Sequence, residues 1–286
     1  MAKNNSAALI MAQDKASNLG RFNTLFNKSV PHILENIFFA LDYDSFITCQ
    51  AVCHAWNDLL TSASFQKAAK KLLAEKKKNE ELLCKLSISG NTREVNHLLL
   101  RGVDPNCAWE LHGLTEITAL CQAARRGHKD VVKSLLDAGA DPNKATGPET
   151  TPLQWATIND HLDVTILLLD AGADPNKVPG HVRTPLHWAA WWENHDMAKL
   201  LLKAEADPNR VNQNEATPLH EAALIGAPDV VRLLLDAGSD PNTRDRFGRT
   251  PLSGALSRRS KRHEDVIKML LKATKVEGEN EKYLKN

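Results

Sequence analysis

The sequence lacks any long apolar run. Its longest uninterrupted apolar stretches include Ala7–Ala12 and Ile166–Leu169, far short of the roughly 20 residues that cross a bilayer. Six residues are also too few for the apolar region of a secretory signal. The sequence therefore predicts neither a membrane span nor a membrane partner.

Cysteine is scarce and follows no pairing pattern. The five cysteines are odd in number and include no Cys-x-x-Cys pair. They are Cys49, Cys53, Cys84, Cys107 and Cys121. Since no export signal accompanies them, they are typical of a reducing compartment. We expect no disulfides and a cytoplasmic or nuclear location.

Neither sign of charge is in excess. The chain has 286 residues with 36 Lys and Arg against 35 Asp and Glu, for a formal net charge of +1. This balance argues against a nucleic-acid partner held by the overall field of the protein. Hydrophobic residues make up 42% of the chain, which suffices for about two packed domains and excludes disorder over most of its length.

Two short motifs recur with one period. Asp-Pro-Asn occurs five times, its last four copies 33 residues apart, and Thr-Pro-Leu or Thr-Ala-Leu recurs five times at the same spacing. The copies begin at Asp104, Asp141, Asp174, Asp207 and Asp240, and at Thr118, Thr151, Thr184, Thr217 and Thr250. A degenerate sixth copy begins near Glu81. Such a period indicates a stack of small units.

Each unit carries the signals of two helices. In Thr184-Pro185 the threonine can cap a helix and the proline suits its first turn. A glycine that is free to take positive φ, such as Gly127 or Gly226, ends this first helix. An aspartate such as Asp229 opens a second apolar helix, and Asp-Pro-Asn then turns the chain. The unit is too small to bury its own apolar face, so the copies must stack into a solenoid.

These units resemble the ankyrin repeat. The resemblance rests on Thr217–Ala223 and Leu234–Asn242 and covers residues 81–275. Side chains replace the turn glycines at four positions. They are Asp160, Glu193 and Arg259 at the first glycine and Glu205 at the second. A side chain in the left-handed conformation costs roughly 1–2 kcal/mol.

The resemblance implies a concave groove that binds a protein target through the residues ending each first helix. These residues are Arg125, Arg126, Ile158, Asn159, Trp191, Trp192, Leu224 and Ile225, with Arg183 and Arg249 at loop tips. Two adjacent tryptophans cannot both enter a helical core. At least one of Trp191 and Trp192 is therefore expected in an exposed apolar strip, and tryptophan is a frequent hot spot of interfaces.

Four further residues have predicted structural roles. Trp155 and Trp188 stand where the family has a core leucine, so we expect them to pack between repeats. His187 and His220 share one repeat position, where the resemblance implies that a histidine bonds loop backbone groups.

The segment before the repeats has apolar residues at helical spacing in three short helices. The segments Val30–Phe38 and Val52–Leu59 resemble the F-box. This resemblance implies docking on the adaptor subunit of an SCF-type ubiquitin ligase, and through it on a cullin. The residues implied in that contact are Val30, Pro31, Leu34, Ile37, Phe38, Val52 and Trp56.

Together these observations predict an all-α chain of several parts. The parts are a mobile tail at 1–28, an F-box-like domain of three helices at 29–75, a lysine-rich linker at 76–80, about six ankyrin units at 81–275 and a tail at 276–286. We expect a non-catalytic adaptor, without a cofactor and monomeric within a hetero-complex, that captures a protein target for ubiquitination.

Two other interpretations stay open. The chain could be a plain ankyrin scaffold without a ligase role, its N-terminal helices capping the exposed end of the solenoid. Cys49 and Cys53 lie four residues apart on one predicted helical face. They could share a metal ion, but no second ligand pair has matching spacing, so core packing is the preferred interpretation.

Overall fold

A computed structural model describes residues 63–111, 114–145, 150–178, 183–258 and 260–274. The chain divides into two units between Lys76 and Lys77, and the repeats lie in the second unit. Both predicted tails and all seven residues of the predicted adaptor contact lie outside the described residues. The domain bounds assigned from sequence stay predictions.

The described residues form twelve helices and one two-stranded hairpin. The helices are α1 Ala63–Ser89, α2 Thr92–Leu100, α3 Ala119–Arg126, α4 Lys129–Asp137, α5 Pro152–Ile158, α6 Leu162–Asp170, α7 Pro185–Trp191, α8 His195–Lys203, α9 Pro218–Ile225, α10 Pro228–Asp236, α11 Pro251–Arg258 and α12 Lys261–Ala273. They form six consecutive pairs, which confirms the predicted solenoid of helix–turn–helix units.

The hairpin is the one departure from an all-α architecture in this part of the chain. Strands β1 Ala108–Leu111 and β2 Leu114–Thr118 pair antiparallel, with Ala108 opposite Thr118. They occupy the loop between the first two pairs, where 37 rather than 33 residues separate successive Asp-Pro-Asn motifs. The longer loop has enough chain to form its own ladder of backbone hydrogen bonds.

The first helices begin at the predicted threonines. The Thr118 hydroxyl accepts from the Cys121 amide at 3.2 Å. At Thr151 the capping is reciprocal, because its amide donates to Gln154 Oε1 at 2.8 Å while its hydroxyl accepts from the Gln154 amide at 3.2 Å. This pairing satisfies two backbone amides that a helix end would otherwise leave without partners.

The described turns after the first helices adopt the left-handed conformation. Asp160 and Glu193 have φ of 57° and 55° there, where Gly127 has 72°. A Cβ added at Gly127 would lie 2.6 Å from the His161 Nδ1 atom of the next unit. The unit after Asp160 presents the smaller Asn194, which donates to the Asp160 carboxylate. A side chain is thus accommodated where the next unit contributes no imidazole.

Asparagines of the Asp-Pro-Asn motifs join successive units. Asn176 Nδ2 donates to the Glu205 carbonyl at 2.9 Å, and its Oδ1 accepts from the Asp207 amide at 2.7 Å. Asn106, Asn143 and Asn209 make the same two bonds to the units that follow them. We call this series the asparagine ladder. In this ladder each asparagine side chain bonds backbone groups about 30 residues further along the chain, which no helix can satisfy.

A continuous apolar core runs along the stack. Equivalent leucines of the first helices and of the second helices are at most 1% exposed. They are Leu120, Leu153, Leu186 and Leu219 in the first helices and Leu135, Leu168, Leu201 and Leu234 in the second. Burying one such side chain contributes about 1.5–3 kcal/mol. Each leucine lies in a core shared with other units, so the units stabilise one another.

The asparagine ladder yields a stability prediction. Asn176→Ala removes two bonds between units, and we expect the free energy of unfolding to fall by about 1–2 kcal/mol in urea titrations followed by circular dichroism. Asn242→Ala is the matched control. It occupies the same motif position, but its side chain makes no such bond within the described residues. Equal losses in both variants would contradict a stabilising role for the ladder.

Candidate functional site

The predicted target-binding residues lie on helices that pack side by side. Within the described residues, α3, α5, α7, α9 and α11 contact one another in sequence. Their exposed faces therefore form one side of the stack. Arg125, Arg126, Asn159 and Trp192 are exposed there, and Ile158, Trp191, Leu224 and Ile225 are half-buried.

Arginine guanidinium groups lie over tryptophan rings on this side. Arg183 Cζ is 5.0 Å from the ring centroid of Trp188 and 4.7 Å from that of Trp191. Arg125 Cζ lies 5.0 Å from the Trp155 centroid, in the next unit. Such cation–π contacts fix the orientation of both partners. We define the first-helix surface as these arginines and tryptophans together with the predicted target-binding residues other than Arg249. It comprises Arg125, Arg126, Trp155, Ile158, Asn159, Arg183, Trp188, Trp191, Trp192, Leu224 and Ile225.

Trp155 and Trp188 do not pack in the core between repeats as predicted. Both are half-buried, and each has an arginine over its ring. The core positions of these helices are taken by Leu153 and Leu186, which are at most 1% exposed. Two residues further along a helix, the side chain points about 200° away, so the tryptophans face the first-helix surface.

A buried carboxylate holds Arg183 in place. Glu221 Oε1 accepts from Arg183 Nε at 3.0 Å and Nη2 at 2.9 Å, and also from Asn212 Nδ2 at 3.3 Å. Glu221 is 6% exposed. Sequence reasoning missed it, although its position gave a signal, because Glu221 follows Trp155 and Trp188 at the same 33-residue spacing. A charge at a half-buried repeat position requires a partner.

Arg249 lies in the last inter-unit loop, with other partners. Its guanidinium donates to Asp245 Oδ2 through Nε at 2.8 Å and Nη2 at 2.7 Å, and it lies 4.7 Å from the Phe247 ring centroid. Burial alone would raise the pKa of Asp245, but the hydrogen bonds from Arg249 and Phe247 lower it below its usual range. These contacts place Arg249 with its own loop and not with the tryptophans.

The two equivalent histidines make the predicted bonds to loop backbone. His187 Nδ1 accepts from the Thr184 amide at 3.2 Å, and its Nε2 donates to the Ala216 carbonyl at 2.8 Å. His220 bonds the Arg249 carbonyl at 3.0 Å in the same way. Burial lowers the pKa of His187 from 6.5 to about 4, and burial also lowers that of His220. Both imidazoles are therefore neutral at pH 7.

The described residues offer no cluster of three or more metal-ligating side chains. The described cysteines Cys84, Cys107 and Cys121 are buried. A hydrogen bond with Cys84 and burial raise the pKa of the Cys107 thiol, so it stays protonated and unreactive. No described helix is both long enough and apolar enough to cross a bilayer.

Comparison with known families agrees with this geometry. A family model of ankyrin repeats, in three copies, matches residues 82–179, 150–212 and 186–280, which together exceed half of the chain. This chain belongs to the ankyrin-repeat family. Proteins of this family are typically non-enzymatic scaffolds, and the repeats imply that this chain is a scaffold for protein–protein interaction.

Two curated relatives match part of this chain. Ankyrin repeat domain-containing protein 40 of Mus musculus and that of Homo sapiens are each 38% identical over 82 residues. The matched segment is 29% of this chain and 22% of each relative. The family model does not cover residues 29–75, so the F-box resemblance stays a prediction.

The buried histidines predict a pH-dependent stability. The unfolded chain takes up a proton near pH 6.5 and folded His187 only near pH 4, so its contribution is present above pH 6.5 and is lost as the pH falls toward 4. Gln154 makes the same pair of bonds without titrating, to Thr151 and to the Arg183 carbonyl. His187→Gln with His220→Gln should therefore match the wild type near neutral pH.

The measurement is urea unfolding at several pH values. Between about pH 7 and about pH 4.5 the wild type should lose on the order of 2–3 kcal/mol more than the double variant. Comparing the two curves cancels the contribution of the carboxylates, which both proteins share. Parallel curves would show that these histidines do not couple folding to protons.

Proposed function

We propose that this chain is a non-catalytic adaptor that binds a protein target on its first-helix surface and docks on an SCF-type ubiquitin ligase through residues 29–75. The observation that carries target binding is Trp192. It caps the end of α7 with its side chain 58% exposed. A large exposed aromatic beside half-buried apolar residues is typical of an interaction surface.

Side-chain contacts within the chain hold the surface around Trp192 in place without a partner. The Arg183 guanidinium lies over the ring of Trp191, the neighbour of Trp192 in the chain, and Glu221 accepts hydrogen bonds from that guanidinium. Binding a partner then orders few side chains. Less conformational entropy is lost on association, which favours affinity.

The ligase half of the proposal rests on sequence. Pro31 and Trp56 belong to segments that resemble the F-box, and these residues lie outside the described part of the chain. An adaptor of this kind accelerates ubiquitin transfer by proximity, because it raises the effective concentration of target lysines near the charged ubiquitin carrier. The chain itself would supply no catalytic group.

Target capture predicts a large effect of one exposed side chain. Trp192→Ala should weaken target binding by about 30-fold or more, as truncation of a hot-spot tryptophan commonly does. The fold should stay intact, because the side chain makes little contact with the core. The measurement is affinity purification with the wild type and the variant, followed by titration of the purified target.

Leu100→Ala is the matched control for Trp192→Ala. Leu100 ends α2 and is 88% exposed, so its truncation removes apolar surface outside the first-helix surface. It should leave target binding unchanged. A target that binds both variants as well as it binds the wild type does not use this surface, and this part of the proposal would then be abandoned.

Ligase docking is tested separately by calorimetric titration of the chain with the SCF adaptor subunit. We expect the wild type to bind, and Pro31→Ala and Trp56→Ala to lose binding while they keep their helicity by circular dichroism. Trp192→Ala should bind the adaptor subunit normally. No binding by the folded wild type would favour the alternative, an ankyrin scaffold whose N-terminal helices cap the repeats.

A further inference from the structure

We infer that the first-helix surface recognises an acidic peptide segment with an apolar anchor. This inference rests on the proposed function, since it specifies the chemistry of the target that the surface binds. Two observations lead to it. Arg125 and Arg126 have no carboxylate partner within the described residues, and the exposed Trp192 lies two first helices away from them.

All charged members of the first-helix surface are arginines. Arg125, Arg126 and Arg183 are its only ionisable residues, although the whole chain has nearly equal numbers of acids and bases. Apart from Glu221 on α9, the described acidic residues between α3 and α11 lie in turns and loops or on the second helices. They include Asp141, Asp174 and Asp207 in the turns, and Asp130, Asp163 and Asp196 on the helices.

The nearest carboxylates are already engaged. Glu221 bonds Arg183 and Asn212. Asp160 accepts from Asn194, and Glu193 forms an ion pair with Arg262. Glu221 neutralises Arg183 and Glu193 is paired with Arg262, so the positive potential of the surface comes from Arg125 and Arg126.

Two guanidinium groups remain open to a ligand. Arg126 is exposed and makes no hydrogen bond or ion pair within the described residues. Arg125 lies over the Trp155 ring, and its guanidinium likewise makes no hydrogen bond or ion pair within the described residues, which leaves its N–H donors available. A guanidinium that is stacked on an aromatic ring presents a preoriented fork to a carboxylate, and such bidentate bonds are among the strong ones.

The apolar part of the surface lies two helices away from this arginine pair. Arg125 and Arg126 end α3, Trp191 and Trp192 end the α7 turn, and Leu224 and Ile225 end α9. Neighbouring helices are about 8–10 Å apart, so the arginine pair and the tryptophans are separated by roughly 15–20 Å. An extended peptide covers this distance in about five or six residues.

The expected ligand therefore has acidic residues about five or six positions from a large apolar residue. A single nucleic-acid strand is the other ligand that could use arginines and an exposed tryptophan, through phosphates and base stacking. It is disfavoured because the half-buried Ile158, Leu224 and Ile225 offer no group to pair with bases or phosphates. The experiment includes this alternative.

The test is selection of 12-residue peptides from a random displayed library on the purified full chain. Enriched peptides should contain more Asp and Glu than Lys and Arg, together with a large apolar residue at the expected separation. A synthetic consensus peptide is then titrated by fluorescence anisotropy. Its Glu→Gln version should bind about tenfold more weakly or worse, and high salt should weaken binding of the acidic peptide.

Matched variants locate the contact. Arg125→Ala with Arg126→Ala should weaken the acidic peptide about tenfold or more, and Trp192→Ala about 30-fold. Lys129→Ala with Lys133→Ala removes the same charge from α4, on the second-helix side, and should leave binding unchanged. Intact far-ultraviolet circular dichroism spectra check that each variant folds.

Several outcomes would overturn the inference. They are neutral or basic peptides among the enriched sequences, no enrichment at all, equal effects of the two double variants, and a thymidine 20-mer that binds the wild type more tightly than the consensus peptide. A protein target that depends on Trp192 but has no acidic segment would overturn this inference alone. In that case the proposed function would stand.

Discussion

Contact between neighbouring units is the constraint on which the rest of the structure depends. No helix pair among the described residues can bury its own leucines, and the ends of α4, α6, α8 and α10 find backbone partners in the asparagine of the preceding unit. The turn residues obey the same constraint. Glycine is found at Gly127, where the next unit places the His161 ring against the turn, and Asp160 is tolerated where the next unit presents Asn194 instead. The side chain that replaces glycine at Asp160 is thus matched by a smaller side chain, Asn194, in the next unit.

Because contact between units supplies the stability, other positions of the first helices are free to vary. Glutamine, tryptophan and glutamate occupy one repeat position in successive units, at Gln122, Trp155, Trp188 and Glu221. The resulting surface combines aromatic rings, arginines oriented by those rings, and one buried carboxylate that holds Arg183. Binding and folding use different side chains in such an arrangement, so a partner surface can diversify without loss of the fold. The exposed Trp192 is the clearest instance, since the core does not need it.

A rigid binding surface suits an adaptor. A surface that is already ordered presents a bound target in one orientation, and the benefit of proximity is greatest when the two halves of the adaptor hold their partners within reach of each other.

The distribution of charge has a further consequence. A nearly neutral chain can still recognise acidic partners if arginines without a carboxylate partner, such as Arg125 and Arg126, lie on one surface while most carboxylates lie in turns and on second helices. The net charge argues against nucleic-acid binding driven by the overall field of the protein. It does not show which ligands the first-helix surface attracts.

Much of the fold could be predicted from the sequence because its signals are local. Thr184-Pro185 starts a helix, Gly226 ends one, and Asp207-Pro208-Asn209 turns the chain, each through contacts within a few residues. The 33-residue period then required a solenoid and indicated that one of two adjacent tryptophans is exposed. The roles of Trp155 and Glu221 could not be read in the same way, since their partners Arg125 and Arg183 lie about 30 residues or more away in the chain. Local chemistry thus determined where each helix begins and ends. Packing between units decided that Arg125 covers Trp155 and that Glu221 holds Arg183, because the register of the stack brings those groups together.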